Sequence, residues 1–206
     1  MSKTILNYAL ASFMLLSLAS CQKDEDVKLS YNTSLYVEAS LNGKTMLLPE
    51  GKDDYKSIAF SERSTSGTGC LEKQTLVLAK AGDSKKSLGV TLHKELETCT
   101  VDCATLGAMF ETGSYSFAGA ASGDDGVIED GVVVFYIDIN EKRWSTDQGS
   151  ADQTGSSFEI IEHEAYEDAG SEARTKATFE CKLYDGQGNV MTVTDGVINS
   201  RSLKCS

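Results

Sequence analysis

The strongest constraint on the fold is a period of two in hydrophobicity near the end of the chain. Residues 177–198 read ATFECKLYDGQGNVMTVTDGVI, with apolar and polar residues alternating on both sides of DGQGN. Such alternation is typical of a β-strand with one buried face, and a Gly/Asp/Asn cluster between two strands is typical of a hairpin turn. The pattern predicts an antiparallel strand pair, a second turn at Asp195-Gly196 and a last strand that begins at Val197.

The same pattern recurs along the rest of the chain. Further predicted strands are residues 34–40, 44–48, 74–81, 86–93, 113–117, 132–139 and 158–163. Asn42-Gly43 separates the first two, and this pair suits the positive φ angles of a two-residue hairpin turn. Residues 132–139, VVVFYIDI, are apolar at nearly every position, which predicts a central strand covered on both faces. Because no strand–helix rhythm is present, we expect an all-β fold, an antiparallel β-sandwich of roughly nine or ten strands.

The first twenty residues have the composition of a secretory signal. A positive charge is followed by a mostly apolar run, and small residues precede Cys21. An apolar run this short is an export signal rather than a membrane-spanning helix. We therefore expect a cleaved lipoprotein signal peptide at residues 1–20, an acidic tether at residues 21–33 and a β-sandwich domain at residues 34–206.

The residues around the cleavage point suggest a lipid anchor. Leu18-Ala19-Ser20-Cys21 resembles the lipobox of bacterial lipoproteins, and QKDED, residues 22–26, resembles the export signal that many Bacteroidota lipoproteins carry after the lipidated cysteine. The resemblance implies a diacylglyceryl group on Cys21. Several acyl chains anchor a protein firmly, since each buried methylene contributes about 0.8 kcal/mol. We expect a location on the outer membrane that faces the cell surface, with a periplasm-facing anchor as the alternative.

Motifs in the body of the chain resemble the same group of proteins. Trp144-Ser145-Thr146 precedes a Gly-containing loop, Thr178-Phe179 lies in a predicted strand, and residues 193–196 read VTDG after a Gly/Asp turn. Together with the early hairpin at residues 37–44, they make the chain similar to small Bacteroidota β-sandwich lipoproteins of unknown function. The resemblance implies the fold and the location and brings no catalytic residues.

The charge balance narrows the range of partners. The chain has a formal net charge of −12 at pH 7 and no basic patch with interleaved aromatic residues. A negative field repels nucleic acid and anionic lipid headgroups. We expect no nucleic-acid partner, and membrane contact through the lipid anchor.

The cysteines predict disulfides, because the expected compartment is oxidising. Those that remain beside Cys21 are Cys70, Cys99, Cys103, Cys181 and Cys205. At most two bridges form among them, and one thiol is left over. We expect Cys70 to pair with Cys99 or Cys103. Cys181 either pairs with Cys205 or is a small buried hydrophobic residue.

Catalytic and metal-binding patterns are weak. The chain has no G-x-S-x-G elbow and no H-E-x-x-H motif. We expect Glu162 and Glu164 to share the wet face of one strand, so an envelope hydrolase with paired carboxylates is an alternative rather than the favoured function. No metal centre is expected. The weak candidates for calcium are the acidic loop residues Asp124, Asp125, Glu129 and Asp130.

Ligand binding at the cell envelope is therefore the favoured function, in a non-catalytic binding or structural role. Sugars stack on exposed aromatic rings, and the candidate rings are those of Trp144, Tyr166 and Tyr184. The expected partner is a glycan or a surface protein. Two alternatives stay open: Trp144 packs into the core, or the chain is an adhesin or assembly subunit with an unpaired edge strand.

Overall fold

Antiparallel strands account for most of the described chain. The structure is a computed structural model that describes residues 35–66, 69–97, 99–100, 102–119, 130–165 and 172–203. Cys21, Tyr166, Cys205 and the calcium candidates Asp124, Asp125 and Glu129 lie outside these ranges. The elements within them are β1 Tyr36–Leu41, β2 Lys44–Pro49, β3 Tyr55–Ser66, β4 Gly69–Lys80, β5 Asp83–Leu96, α1 Cys103–Ala108, β6 Gly113–Ser114, β7 Gly131–Ile137, β8 Arg143–Ser145, β9 Ser157–Ala165, β10 Glu172–Tyr184 and β11 Val190–Leu203.

All of these strands belong to one sheet. Its order is β2-β1-β11-β10-β8-β7-β5-β4-β3, with β9 paired to β10 and β6 paired to β9. Every pairing between these strands is antiparallel, so the predicted all-β antiparallel class is confirmed. The two layers of the sandwich are parts of one continuous, curled sheet.

The curled sheet meets itself where β3 approaches the end of β11. The Ser57 hydroxyl accepts a hydrogen bond from the Arg201 backbone N–H at 2.8 Å, and its Oγ lies 2.8 Å from Ser200 Oγ. β1 covers β11 only as far as Asn199. The end of β11 is therefore left open for the side chain of Ser57.

The hydrophobic core lies on the inner face of this sheet. Alternate residues of β5 and β10 are buried there, as the sequence pattern predicts. They are Leu88, Val90, Leu92, Ala177, Phe179, Cys181 and Leu183. Burying a large apolar side chain of this kind stabilises a fold by about 1.5–3 kcal/mol, so these rows account for much of the attraction between the layers.

Two local predictions are confirmed in detail. Asn42 and Gly43 have φ angles of 47° and 77°, as the turn between β1 and β2 requires. On β7, consecutive residues are buried, including Val133 on the outer face and Val134 on the core face. This burial on both faces is what a central strand requires.

The predicted turn at Asp195-Gly196 is wrong. β11 continues through this pair, which lies at a bulge where the register against β10 shifts. Asp195 has a φ of 52°, and a Cβ atom on Gly196 would lie 2.5 Å from the ring of Phe179. The dipeptide is thus explained by a bulge and a close ring contact rather than by chain reversal.

β3 is a long strand that the sequence analysis did not predict. Apart from Tyr55 at its start, its core-facing side chains are small or polar, among them Ser57 and Ala59, whereas Ile58 and Phe60 face outward and are 37% and 40% exposed. The usual pattern of large apolar residues inside is therefore inverted. This inversion hides the strand from an analysis that looks for one apolar face.

The region after β5 contains the only helix among the described residues. α1 is six residues long, and the carboxylate of Asp102 caps it by accepting a hydrogen bond from Thr105 N at 2.8 Å. Within the described ranges, no helix is both long and apolar enough to cross a membrane.

Candidate functional site

A groove of about 300 Å³ lies on the outer face of the sheet, across β3, β4, β5 and β7. We call it the outer groove. The strand register aligns Phe60, Thr75, Thr91 and Val133 in one row, and Glu62, Lys73, His93 and Gly131 in the next. The residues that line the groove are Phe60, Glu62, Lys73, Thr75, Thr91, His93, Val133, Phe135, Arg143 and Asp147.

One end of the outer groove is built around a glycine. A Cβ atom on Gly89 would lie 2.7 Å from Cζ of Phe135 and 2.6 Å from the backbone oxygen of Leu76. Because Gly89 has no side chain, the Phe135 ring lies across β5. The guanidinium of Arg143 then lies over this ring, with its central carbon 4.7 Å from the ring centroid, a cation–π contact.

Four charged side chains line the outer groove, two of each sign. They are Glu62, Lys73, Arg143 and Asp147. Among the described residues none of the four forms an ion pair, although ion pairs are frequent elsewhere in the sheet. The Asp147 carboxylate accepts one hydrogen bond, from Ser145 Oγ at 2.5 Å. The groove therefore presents charged donors and acceptors that are not neutralised by one another.

His93 lies at the other end of the outer groove and is 9% exposed. Its Nδ1 atom is buried and has no hydrogen-bond partner among the described residues. Burial, followed by the nearby charge of Lys73, lowers the pKa of His93 to about 4, so the imidazole is neutral at pH 7. Its neighbour across the strands is Gly131, which contributes no side chain beside the ring.

A second cavity, of about 480 Å³, adjoins the outer groove at His93. It lies between the end of β5, helix α1 and the residues that follow β6, and we call it the end cleft. The residues that line it are Leu92, His93, Lys94, Thr105, Ala108, Met109, Ser114, Tyr115, Ser116, Asp130 and Gly131. The hydroxyl of Tyr115 is engaged, since it donates to the backbone oxygen of Glu111 at 2.7 Å.

Trp144 is not an open stacking platform. It is half-buried against the core and lies opposite Tyr136 on β7. The ammonium of Lys142 lies 4.7 Å from its ring centroid and also pairs with Asp185, whose pKa it holds well below the usual range. The alternative in which Trp144 packs against the core is therefore the one observed. Its neighbour Arg143 points to the opposite face and lines the outer groove.

Tyr184, predicted to face outward, is buried. It lies on the outer face of β10, but the segment after β8 folds over it. The Tyr184 hydroxyl donates to the backbone oxygen of Asp152 at 2.6 Å, and the side chain of Gln153 donates to Lys182 O at 2.7 Å. These hydrogen bonds attach the segment to β10, and the segment covers the ring.

The cysteines follow one of the patterns left open by the sequence. Cys70 and Cys99 form a disulfide. Cys181 is free and buried, and burial raises the pKa of its thiol, so it is the buried hydrophobic residue of the two alternatives and does not pair with Cys205. Cys103 is also disulfide-bonded. Its partner is not Cys70, Cys99 or Cys181.

The candidate acids are held by basic groups. Glu162 and Glu164 both accept hydrogen bonds from Arg174, at 3.0 and 2.7 Å, on the outer face of β9 and β10. Asp130, the one described calcium candidate, accepts from Lys94 Nζ and from Glu95 N at 2.5 Å each. In the part of the chain that the structure describes, no three His, Cys, Asp or Glu side chains are grouped closely enough to hold a metal ion.

Sequence analysis missed most of the outer groove. Phe60 and Glu62 were not considered, because β3 was not recognised as a strand, and Lys73 was not considered, because the strand predicted at residues 74–81 begins just after it. Arg143 was overlooked beside the more conspicuous Trp144. The available signal was the IAFSE sequence at residues 58–62, in which Ile58 and Phe60 alternate with small residues.

No family model, curated protein or solved structure matches the chain. The function must therefore be argued from the site itself.

Proposed function

We propose that the chain is a lipid-anchored cell-envelope protein that binds a saccharide in the outer groove without catalysing a reaction. The observation that carries the proposal is the combination of one exposed aromatic ring, Phe60, with four charged side chains that are not paired with one another. Binding sites typically join an apolar surface to a few convergent polar groups.

The chemistry of a sugar suits this combination. A pyranose ring has an apolar face that packs on an aromatic side chain, and hydroxyl groups that both donate and accept hydrogen bonds. Phe60 offers the aromatic face, Arg143 and Lys73 donate, and Glu62 and Asp147 accept. Thr75 and Thr91 form the floor of the outer groove. Their hydroxyls are 3.0 Å apart and hydrogen-bond to each other, so the floor needs no polar partner from a ligand.

The non-catalytic part of the proposal is supported by the state of the candidate catalytic groups. Glu162 and Glu164 both accept hydrogen bonds from the same arginine, Arg174, so the two carboxylates are engaged by a neighbouring side chain rather than facing a substrate as a free acid and base pair. His163 is hydrogen-bonded to Thr175 at 2.8 Å and stacks on Phe110. Thr175 is fully buried, so its hydroxyl is not accessible to a substrate.

A saccharide-binding screen of the processed protein in detergent tests the proposal. We expect binding to at least one oligosaccharide, and a loss of about twofold to tenfold in affinity for Phe60→Ala, the range expected when one aromatic contact is removed. Ile139→Ala is the matched control, since Ile139 is 54% exposed and lies outside the groove. The absence of binding to every neutral and acidic oligosaccharide in the screen would overturn the proposal.

The lipid anchor and the location are part of the same proposal. We expect Cys21→Ser to move the protein from the membrane fraction to the soluble fraction, because the acyl chains supply the membrane affinity. Protease treatment of intact cells then distinguishes the two faces of the membrane. Degradation supports the surface location, whereas protection until the outer membrane is permeabilised supports the periplasm-facing alternative.

A second candidate function, an adhesin or assembly subunit, is favoured by the free edge of β3. The β3–β4 pairing runs from Tyr55 to Ser66 without a bulge. Among the described residues, no further strand pairs with β3 beyond Ser57. Long, flat, partly apolar edges promote pairing between chains. Sedimentation that detects oligomers sensitive to Ala59→Pro would favour this function over saccharide binding.

A further inference from the structure

We infer that the outer groove selects saccharides that carry a carboxylate, and that Arg143 is the residue that recognises it. This inference rests on the proposed function, because it concerns the ligand of the same groove. It adds the chemical class of the sugar, a uronic acid unit, and the residue that determines the preference.

Arg143 forms no ion pair with a carboxylate of the described chain. The described chain contains four arginines. Three of them meet carboxylates: Arg63 bonds Glu72 at 2.8 Å, Arg174 bonds Glu164 at 2.7 Å and Arg201 lies 3.5 Å from Glu50. Within the described ranges, no carboxylate lies at ion-pair distance from Arg143, although the chain has 31 Asp and Glu residues.

The guanidinium of Arg143 already has an aromatic ring against it in the absence of a ligand. Its central carbon lies 4.7 Å from the centroid of the Phe135 ring, and the ring itself is buried where Gly89 leaves room for it. The rest of Arg143 is exposed and accessible to a ligand. The planar fork of N–H donors matches the two oxygens of a carboxylate. Arg143 is therefore built to receive an external carboxylate.

The charges near Arg143 in the groove also favour an anionic ligand. Lys73 lines the same groove and has no ion pair among the described residues, so a second positive charge is available. The Asp147 carboxylate is engaged by Ser145 Oγ at 2.5 Å. At physiological ionic strength, salt largely screens interactions between exposed charges that are more than about 8 Å apart. The negative net charge of the chain therefore has little effect on a ligand in the groove. Local contacts therefore decide the preference.

The width of the groove indicates that the ligand is an oligosaccharide. Phe60 is on β3 and Phe135 is on β7, with β4 and β5 between them. Three strand spacings of about 4.8 Å each separate these two strands by roughly 14 Å. A single sugar ring does not span that distance. We place the uronate unit at Arg143 and a unit further along the same oligosaccharide against Phe60.

The test compares matched acidic and neutral probes. The processed protein in detergent is titrated with oligomers of two to six units of galacturonate, mannuronate and guluronate, and with the same oligomers after reduction of every carboxyl group to an alcohol. We expect at least one acidic series to bind about tenfold or more tightly than its reduced form, as a charged hydrogen-bonded pair provides. Affinity for the acidic series should fall with added salt, and affinity should rise from two to four units.

Variants assign the preference to the arginine. Arg143→Gln should reduce the acidic preference to within about twofold of the neutral oligomers, and Arg143→Lys should restore only part of it, because lysine keeps the charge but lacks the fork. Lys44→Gln, which removes an exposed charge outside the groove, is the matched control. Phe60→Ala should weaken acidic and neutral oligomers equally. Thermal melts of each variant verify folding, and Arg143→Lys carries the test if Arg143→Gln does not fold, since full retention of the acidic preference in that variant would also contradict the role of the fork.

The outcomes separate this inference from the proposed function. Equal affinity for acidic and reduced oligomers, binding of neutral oligomers alone, or an acidic preference that survives Arg143→Gln would overturn the inference and leave saccharide binding intact. Failure of all oligomers, acidic and neutral, would overturn both.

Discussion

The Arg143 guanidinium lies over the Phe135 ring, with 4.7 Å between its central carbon and the ring centroid. This contact links the three-residue strand β8 to the centre of the neighbouring β7. It depends in turn on Gly89, because the ring lies where a side chain on β5 would otherwise be. The charged end of the outer groove is thus determined by a residue that has no side chain of its own.

Replacing Gly89 with alanine should therefore disturb the groove and the fold together. The added methyl group would meet Phe135 and the backbone of β4, and overpacking of this kind costs about 1–3 kcal/mol. We expect Gly89→Ala to lower the free energy of unfolding in urea by about that amount. The control is Gly107→Ala, since a Cβ there meets nothing within 4 Å and alanine stabilises a helix by about 0.5–1 kcal/mol relative to glycine. Similar effects of the two variants would contradict this account of Phe135.

Stability should fall as the pH drops from about 6.5 to about 4. The pKa of His93 in the folded protein is lowered to about 4 from 6.5, so between these values the unfolded chain binds the extra proton and is favoured. A difference of this size is about 3 kcal/mol. His163 contributes with the same sign, because burial lowers its pKa as well. Asp152, whose pKa is lowered to about 2, acts only at lower pH.

Urea unfolding at a series of pH values measures this dependence. His93→Gln cannot take up the proton, so we expect its stability to change much less between pH 6.5 and 4 than that of the unaltered chain. The pH dependence of the unfolding free energy that remains in this variant should be close to that due to His163. An unchanged slope in His93→Gln would mean that burial does not hold this imidazole neutral.

The disulfides should be Cys70–Cys99 and Cys103–Cys205. The first is observed, Cys181 is free, and Cys103 is bonded to none of these three. If Cys21 carries the lipid, Cys205 is the remaining partner. Peptide mapping by mass spectrometry without reduction checks both bridges, and a peptide that joins Cys103 to Cys21 would contradict the lipid anchor as well.

Loss of the first bridge should be costly. Its cysteines are 29 residues apart, and closing a loop of that length contributes about 3–4 kcal/mol in the chain-entropy model. We expect the double variant Cys70→Ser, Cys99→Ser to lose about that much stability in urea. Cys181→Ala, which removes a buried thiol but no bridge, separates the cross-link from the effect of deleting a sulfur atom.

Proline substitutions should distinguish the two sides of β3. The N–H of Ser57 donates to Glu50, away from β4. Because backbone groups alternate along a strand, the N–H of Ala59 also faces the free edge and that of Phe60 faces β4. We expect Phe60→Pro to lower the unfolding free energy by about 3 kcal/mol or more and Ala59→Pro to lower it clearly less. Thermal melts compare the two, and equal losses would mean that the edge is not free.

The fold was predictable where local pattern and burial agree. The alternation in β5 and β10, the apolar run of β7 and the Asn42-Gly43 turn all identify their elements correctly. The prediction failed where a local signal has a long-range cause. Gly196 follows an aspartate as in a turn, but its real constraint is the Phe179 ring on the neighbouring strand.

The site was much less predictable, for a similar reason. The most prominent aromatic residue, Trp144, packs toward the core, whereas the adjacent Arg143 lines the groove. Phe60 and Arg143 are far apart in the sequence and meet one groove only through the strand order β8-β7-β5-β4-β3. Tyr184 is covered by a segment whose hydrogen bonds to β10 have no sequence signature.

The most direct test of the central claim is to map the contact surface of a bound oligosaccharide by NMR. The processed protein, labelled with ¹⁵N, is titrated with the best-binding oligomer from the screen, and the changes in amide and side-chain shifts are assigned to residues. The account predicts that the largest changes fall on Phe60, Thr91, His93, Phe135 and Arg143. Changes confined to the β1–β2 hairpin, to the surface over Tyr184 or to the end cleft alone would contradict it.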